Sequence, residues 1–175
     1  DKVKTCLLTG LEYPVVPKNL ECVDCTNEAV VEDLINLAPG CHLETILWCE
    51  EGVIGQADLL FVREELGAKY VSIGDYKSNK KIVMKGYGHN TKMKYPLDHL
   101  DDVNFLHYAL QLSFYAYFLE EAGFIIEDLY LIHTKPKGDK VIEVPYLRQE
   151  VIQLINNHLG RSTQSLGDLI DDIWI

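Results

Sequence analysis

Residues 54–62, Ile-Gly-Gln-Ala-Asp-Leu-Leu-Phe-Val, and residues 68–78, Ala-Lys-Tyr-Val-Ser-Ile-Gly-Asp-Tyr-Lys-Ser, are two apolar runs, each carrying one aspartate. Both read as strands, because β-branched and aromatic residues dominate and Gly or polar residues bound them. Alternate residues of a strand share a face, so Val71, Ile73, Asp75 and Lys77 point one way. Asp58 stands in an otherwise apolar stretch, where a carboxylate is costly unless it is paired or binds a metal. Two such acids on neighbouring strands, with an ammonium two residues beyond one of them, describe a site for a hard cation. Oxygen donors suit Mg²⁺ or Mn²⁺, and the absence of a dense His/Cys set around them argues against zinc.

The rest of the chain builds outward from this pair. Thr26 or Asn27 caps a predicted helix that runs to about Leu37 and is stopped by Pro39-Gly40. Glu44–Glu50 and Val53–Arg63 are predicted as strands around a Glu51-Gly52 hairpin signal, and Ala68–Lys77 as a third. Asp101–Ala122 is a predicted helix with Val103, Leu106, Leu110, Phe114 and Tyr117 on its apolar face, acids suited to its N-terminus and Gly123 after its end. Phe124–His133 and Val141–Tyr146 are predicted strands, Arg148–Leu159 a helix and Leu166–Trp174 a short one, whereas residues 1–25 show little periodicity. The order is that of an α/β domain with a mixed sheet, since hairpin strands are antiparallel.

Over 175 residues the chain is 47% hydrophobic and 25% charged, with Gly 12 and Pro 6, which excludes collagen-like and disordered classes. One domain over 1–175, with a core of about 26–159, is expected. No apolar run reaches the ~20 residues a bilayer span needs. Cysteines 6, 22, 25, 41 and 49 are odd in number and confined to the first third, which reads as thiols in a reducing, intracellular compartment rather than as a disulfide framework. Asp1 follows no initiator Met and no signal peptide is visible, so a domain excised from a longer protein is expected.

Gly-Gln-Ala-Asp (55–58), Gly-Asp-Tyr-Lys-Ser (74–78), and Gln111 with Tyr115 on the following helix together resemble the PD-(D/E)xK nucleases, closest to the RecB-like and phage lambda exonuclease-like branch. The motifs of that branch, G-x-x-D, D-x-K-[ST] and Q-x-x-x-Y, occur here in order, within a resemblance covering about residues 26–134. It implies a restriction-endonuclease-like core, α-β-β-β-α-β. It also implies that Asp58 and Asp75 bind Mg²⁺ or Mn²⁺ with help from the Tyr76 carbonyl, and that Lys77 is catalytic. Gln111 and Tyr115 would hold DNA backbone or the site's shell, and an acid on the first helix, Glu32 with Glu28 as substitute, would join them. The residues alone place His107, Gln111 and Tyr115 on a stripe beside the apolar face of the helix. Some nucleases of the branch carry a four-cysteine cluster. Here every Cys precedes Asp58, so Cys22, Cys25, Cys41 and Cys49 read as thiols rather than as Zn²⁺ or iron–sulfur ligands.

The net charge of −11, from 27 acids against 16 basic residues, argues against a broad basic surface. A local patch nevertheless follows the proposed site. Ser78, Lys80, Lys81, Lys85, Lys92 and Lys94 form a basic loop with Tyr87, His89 and Tyr95 interleaved and no acid between Asp75 and Asp98. Lysines among aromatics suit phosphate tracking and stacking on unpaired bases. The reading is a metal-dependent DNA exonuclease of replication, recombination or repair, acting on single strands or DNA ends. A helicase or other recombination protein is the expected partner, and a phage or viral source is compatible. A structure-specific endonuclease and a catalytically silent DNA- or protein-binding module are the alternatives.

Overall fold

Leu66 at φ 52° and Gly67 at φ 81° turn the chain back on itself between its two longest strands. A two-residue loop with both φ positive matches the right-handed twist of the strands it joins. The computed structural model describes residues 3–5, 12–14, 34, 36–48, 54–86 and 92–160. Among them, β1 (Val3–Thr5) and β2 (Glu12–Pro14) form a small antiparallel sheet. A five-stranded sheet has the order β3 (Gly40–Trp48), β4 (Ile54–Glu65), β5 (Ala68–Lys77), β6 (Ile125–His133) and β7 (Lys140–Val144). The β3–β4, β4–β5 and β6–β7 pairs are antiparallel and β5–β6 is parallel, so the sheet is mixed as expected.

Parallel neighbours need a crossover, and α1 (Asn104–Glu121) supplies it. Phe105, Ala109, Leu112, Ala116 and Leu119 recur every three or four residues along α1 and are buried in one core with Val71, Ile73, Leu129 and Leu131. The two alanines let the helix lie close to the sheet. α2 (Arg148–His158) buries Val151 and Ile155, and the Leu147 N–H ahead of it donates to the buried Ser113 Oγ at 2.9 Å, pinning α2 to α1.

Several expectations are corrected. The front of the chain contains the antiparallel β1–β2 pair, whose three-residue strands are too short to show periodicity. β3 starts at Gly40, earlier than predicted. α1 starts at Asn104 after Val103, because Asp101 and Asp102 are engaged elsewhere and do not cap it. Leu106, Phe114 and Tyr117 are only half-buried, so the best-packed face of α1 is offset from the predicted one. The stripe is also graded: His107 is exposed and bonded to Asp102, whereas Tyr115 belongs to the core. Of the predicted first helix Leu34 is helical, whereas Asn36 lies in a turn and Leu37 is not helical, so it ends before Leu37. Its other residues and the Leu166–Trp174 helix lie outside the described residues. No helix among the described residues is long and apolar enough to cross a membrane.

Candidate active site

The ladder between β4 and β5 runs from Glu65↔Ala68 to Leu59↔Gly74 and ends there, although both strands continue. Beyond that point residues 54–57 pair only with β3, and Asp75, Tyr76 and Lys77 pair only with β6. The sheet therefore forks, and Asp58 and Asp75 stand at its crotch, next in register after the last pair. A fork frees backbone groups that require partners. Asp58 supplies one, its Oδ2 accepting the Tyr76 N–H at 2.9 Å across the gap. The β3 side is interrupted as well. Glu44, opposite Asp58, takes φ 53° between the Leu43↔Leu59 and Thr45↔Ala57 pairs. Its carbonyl and carboxylate both accept from Gln56 Nε2, at 3.1 and 3.0 Å. A left-handed non-glycine residue is strained, and here that strain adjoins the candidate site.

Asp75 is 2% exposed. Its Oδ2 is shut off from solvent and accepts no hydrogen bond of good direction among the described residues. The Lys77 ammonium lies 2.5 Å from that oxygen as an ion pair. Burial pushes the Asp75 carboxyl above the ordinary carboxylate range, Lys77 pulls it down, and the nearby Asp58 charge raises it again. Lys77, with a side chain 17% exposed, also donates to Gln111 Oε1 at 3.1 Å. An ammonium only donates, so Gln111 must turn its oxygen to Lys77 and its amide nitrogen to Tyr115, whose hydroxyl accepts at 2.8 Å. Tyr115 in turn packs on Gly55. A Cβ at Gly55 would lie 3.2 Å from Tyr115 Cζ and closer still to Cε1. All three sequence motifs thus meet in one place, and the glycine of the first is the seat of the tyrosine of the third.

The exit from this site is also fixed. Lys77 O accepts from the Thr134 N–H at 2.9 Å, and the buried His133 has its Nε2 2.6 Å from Asn79 O, a donor's position. Asn104, the first residue of α1, accepts the Val83 N–H at 2.7 Å and donates to Lys81 O at 2.9 Å, clamping the basic loop to the helix. Asp101 binds the Gly86 N–H at 3.1 Å and the Lys92 ammonium at 2.8 Å, and these contacts hold its carboxyl below the usual range. Lys80, Lys81, Lys85 and Lys94 are exposed, as is Ser78, whereas Lys92 also donates to His99 O at 3.0 Å.

Of the predicted site residues, Asp58, Asp75, Lys77, Gln111 and Tyr115 come together at the fork. Glu32, Glu28, Tyr87, His89 and cysteines 6, 22, 25 and 49 lie outside the described residues. Cys41 is half-buried on β3 against Leu59 and Ile132. Among the described residues no cluster of three or more His, Cys, Asp or Glu side chains is placed to hold a metal. Sequence reasoning missed Tyr108, whose ring centroid is 4.8 Å from Lys77 Nζ. Its spacing three residues before Gln111 was the available signal.

No family model and no curated protein matches the sequence. A solved structure titled "Crystal structure of SSO0001" aligns with 76% of this chain at 15% identity and a TM-score of 0.35. The aligned region spans 57% of that structure's chain.

Proposed function

We propose that the fork is the active site of a Mg²⁺- or Mn²⁺-dependent deoxyribonuclease of the restriction-endonuclease-like class, acting as an exonuclease. One observation carries the reading: Asp75 Oδ2 is buried and under-satisfied beside a second carboxylate and an ammonium, where two strands part. A buried carboxylate oxygen whose one close partner is an ammonium, in a set of hard donors, fits a divalent cation. Asp58 and Asp75 would hold it, with the Tyr76 carbonyl as a further donor; Glu32, the acid the sequence resemblance would add, lies outside the described residues. When bound, the cation supplies Lewis acidity toward a phosphoryl oxygen and a more acidic attacking water.

The protein's own groups would divide the remaining work. Lys77 presents a fixed positive charge where negative charge develops on the phosphoryl oxygens during attack and departure of the leaving oxygen. Gln111 orients that ammonium, and its other end is held by Tyr115, so the chain of hydrogen bonds transmits the position of α1 to β5. The exposed lysines of the loop lie along the chain just after Lys77 and suit contacts to successive phosphates.

The test is purified protein with Mg²⁺ or Mn²⁺ and end-labelled linear or closed circular DNA, single- and double-stranded. Progressive release from linear ends, sparing of circles and complete loss in EDTA are expected. Nicking of circles would make it an endonuclease. Binding without cleavage in either metal would leave only a DNA-binding module and end the proposal.

A further inference from the structure

We infer that Tyr108 is a positioning residue that fixes the Lys77 ammonium in the fork, a role that rests on the nuclease reading for its catalytic meaning but not for its geometry. Lys77 extends from the last position of β5, where its four-carbon stem is free to follow many rotamers unless something receives its head. Among the described residues three groups receive it: Asp75 Oδ2 at 2.5 Å, Gln111 Oε1 at 3.1 Å and the Tyr108 ring at 4.8 Å from its centroid. They come from two elements, β5 and α1, and they differ in kind. The carboxylate would turn to a cation or a phosphate-bound metal when either arrives, which weakens its hold on Lys77 at the moment the ammonium is needed. The ring and the amide lack that conflict.

Tyr108 and Gln111 lie three residues apart on α1, so they are neighbours on one flank of the helix and approach the same ammonium. Tyr108 is half-buried and packed against the main core, so its ring cannot drift. The negative face of a held aromatic ring attracts a cation most where water is scarce, and Lys77 is largely shielded. The ring attracts the charge electrostatically and requires no directed hydrogen bond, so the N–H groups can still serve Asp75, Gln111 and an incoming phosphoryl oxygen.

The test compares Tyr108→Phe, which keeps the ring, with Tyr108→Leu, which keeps an apolar side chain but no π face. Protein labelled with ¹³C-lysine, free of metal, reports the contact directly. The Lys77 ε-methylene protons should be shifted upfield by the ring in the parent and in Tyr108→Phe, and should return to ordinary lysine values in Tyr108→Leu. In cleavage assays kcat should fall about tenfold in Tyr108→Leu with KM for DNA nearly unchanged, the rate equivalent of one shielded cation–π contact. Tyr108→Phe should restore turnover to within about twofold. Ordinary ε-methylene shifts in the parent, or a Tyr108→Leu protein that folds and turns over at the parent rate, overturn the assignment. An inactive parent would end the nuclease reading alone, and the methylene shifts would still decide where Tyr108 holds Lys77.

Discussion

The two ends of the β4–β5 hairpin solve the same problem, charge on a strand, in opposite ways. At the turn end Arg63 is half-exposed and saturated. Its Nη2 lies 2.6 Å from Glu127, its Nη1 2.6 Å from Glu65, and its guanidinium stacks 3.9 Å above the Tyr70 ring. At the fork end Asp75 is buried while Asp58 and Lys77 are half-buried, and among the described residues one oxygen of Asp75 holds only the ion pair with Lys77. Water could serve the first set, whereas it does not reach the buried Asp75 oxygen. A fold gains nothing by hiding an incompletely paired carboxylate, because an apolar residue of similar size would pack there at lower cost. The saturated end fits a role in stability, and the unsaturated end fits the chemistry proposed for it.

The sharpest way to break this contrast is to change the fork charges one at a time. Asp58→Asn and Asp75→Asn should each reduce cleavage by about 10³-fold or more, with loss of metal affinity, because a charged ligand is removed. Lys77→Ala should reduce turnover by about 10²–10³ while metal and DNA affinity stay near the parent values. Stability should move the other way. Since burial raises the Asp75 carboxyl above its unfolded value of 3.8, the folded protein holds that proton more tightly than the unfolded chain. Ionised Asp75 therefore subtracts stability above its raised folded pKa, and this penalty vanishes as pH falls to the unfolded value. In metal-free buffer at pH 7, Asp75→Asn should melt above the parent, and the curves should converge toward pH 4. A lower melting temperature at pH 7 would mean that the Lys77 pair outweighs burial, and Asp75 would then be structural.

The basic loop sharpens the comparison on the side of ligand binding. Replacing Lys80, Lys81, Lys85 and Lys94 with Gln should lower the log–log salt slope of DNA binding by about 0.7–0.9 for each phosphate no longer neutralised. Lys92→Gln should leave the slope unchanged, because that ammonium already serves Asp101 and the His99 carbonyl. Equal effects from all five lysines would show that the Asp101 clamp opens when DNA binds.

Gly55 tests whether the fork is held from behind. Gly55→Ala forces a methyl into the Tyr115 ring and should cost about 1–3 kcal/mol in a urea titration. Adding Tyr115→Leu should recover part of that loss, and a coupling of about 0.5 kcal/mol or more between the two sites would establish the contact. Strict additivity would show that the ring does not seat on Gly55.

Much of this end was legible because a strand has an exact period of two. Ala68–Lys77 has the bounds expected from its β-branched run, and Asp75 and Lys77 share the predicted face. The α1 face was less legible, since α2 and the sheet cover it from two sides and an apolar stripe then fails to mark one buried direction. Leu112, Leu119 and the two alanines, Ala109 and Ala116, are fully buried, while the larger Phe114 and Tyr117 lie at the margin. The helix start was obscured because Asp101 and Asp102 look like caps but are used by Gly86, Lys92 and His107. The fork itself leaves no pattern along the chain, and Tyr108 leaves only its spacing before Gln111, because each acts only where separate elements meet.

The smallest effect is expected at the saturated end. Arg63→Ala removes both ion pairs and the stack on Tyr70, all of them at the surface, where entropy and screening cancel most of the Coulomb gain. The guanidinium is charged throughout the accessible range, since its hydrogen bonds to Glu127 and then Glu65 raise its pKa further. No pH dependence of this contribution is therefore expected from the arginine itself. The melting temperature should fall by about 2 °C or less, and by less again near 1 M salt, where the screening length shrinks to about 3 Å. Cleavage should stay at the parent rate, because the ladder from Leu59↔Gly74 to Glu65↔Ala68 separates Arg63 from the fork along most of the pairing. A loss of turnover comparable to that of Lys77→Ala would show that the hairpin moves as one lever, with its turn end setting the opening of the fork.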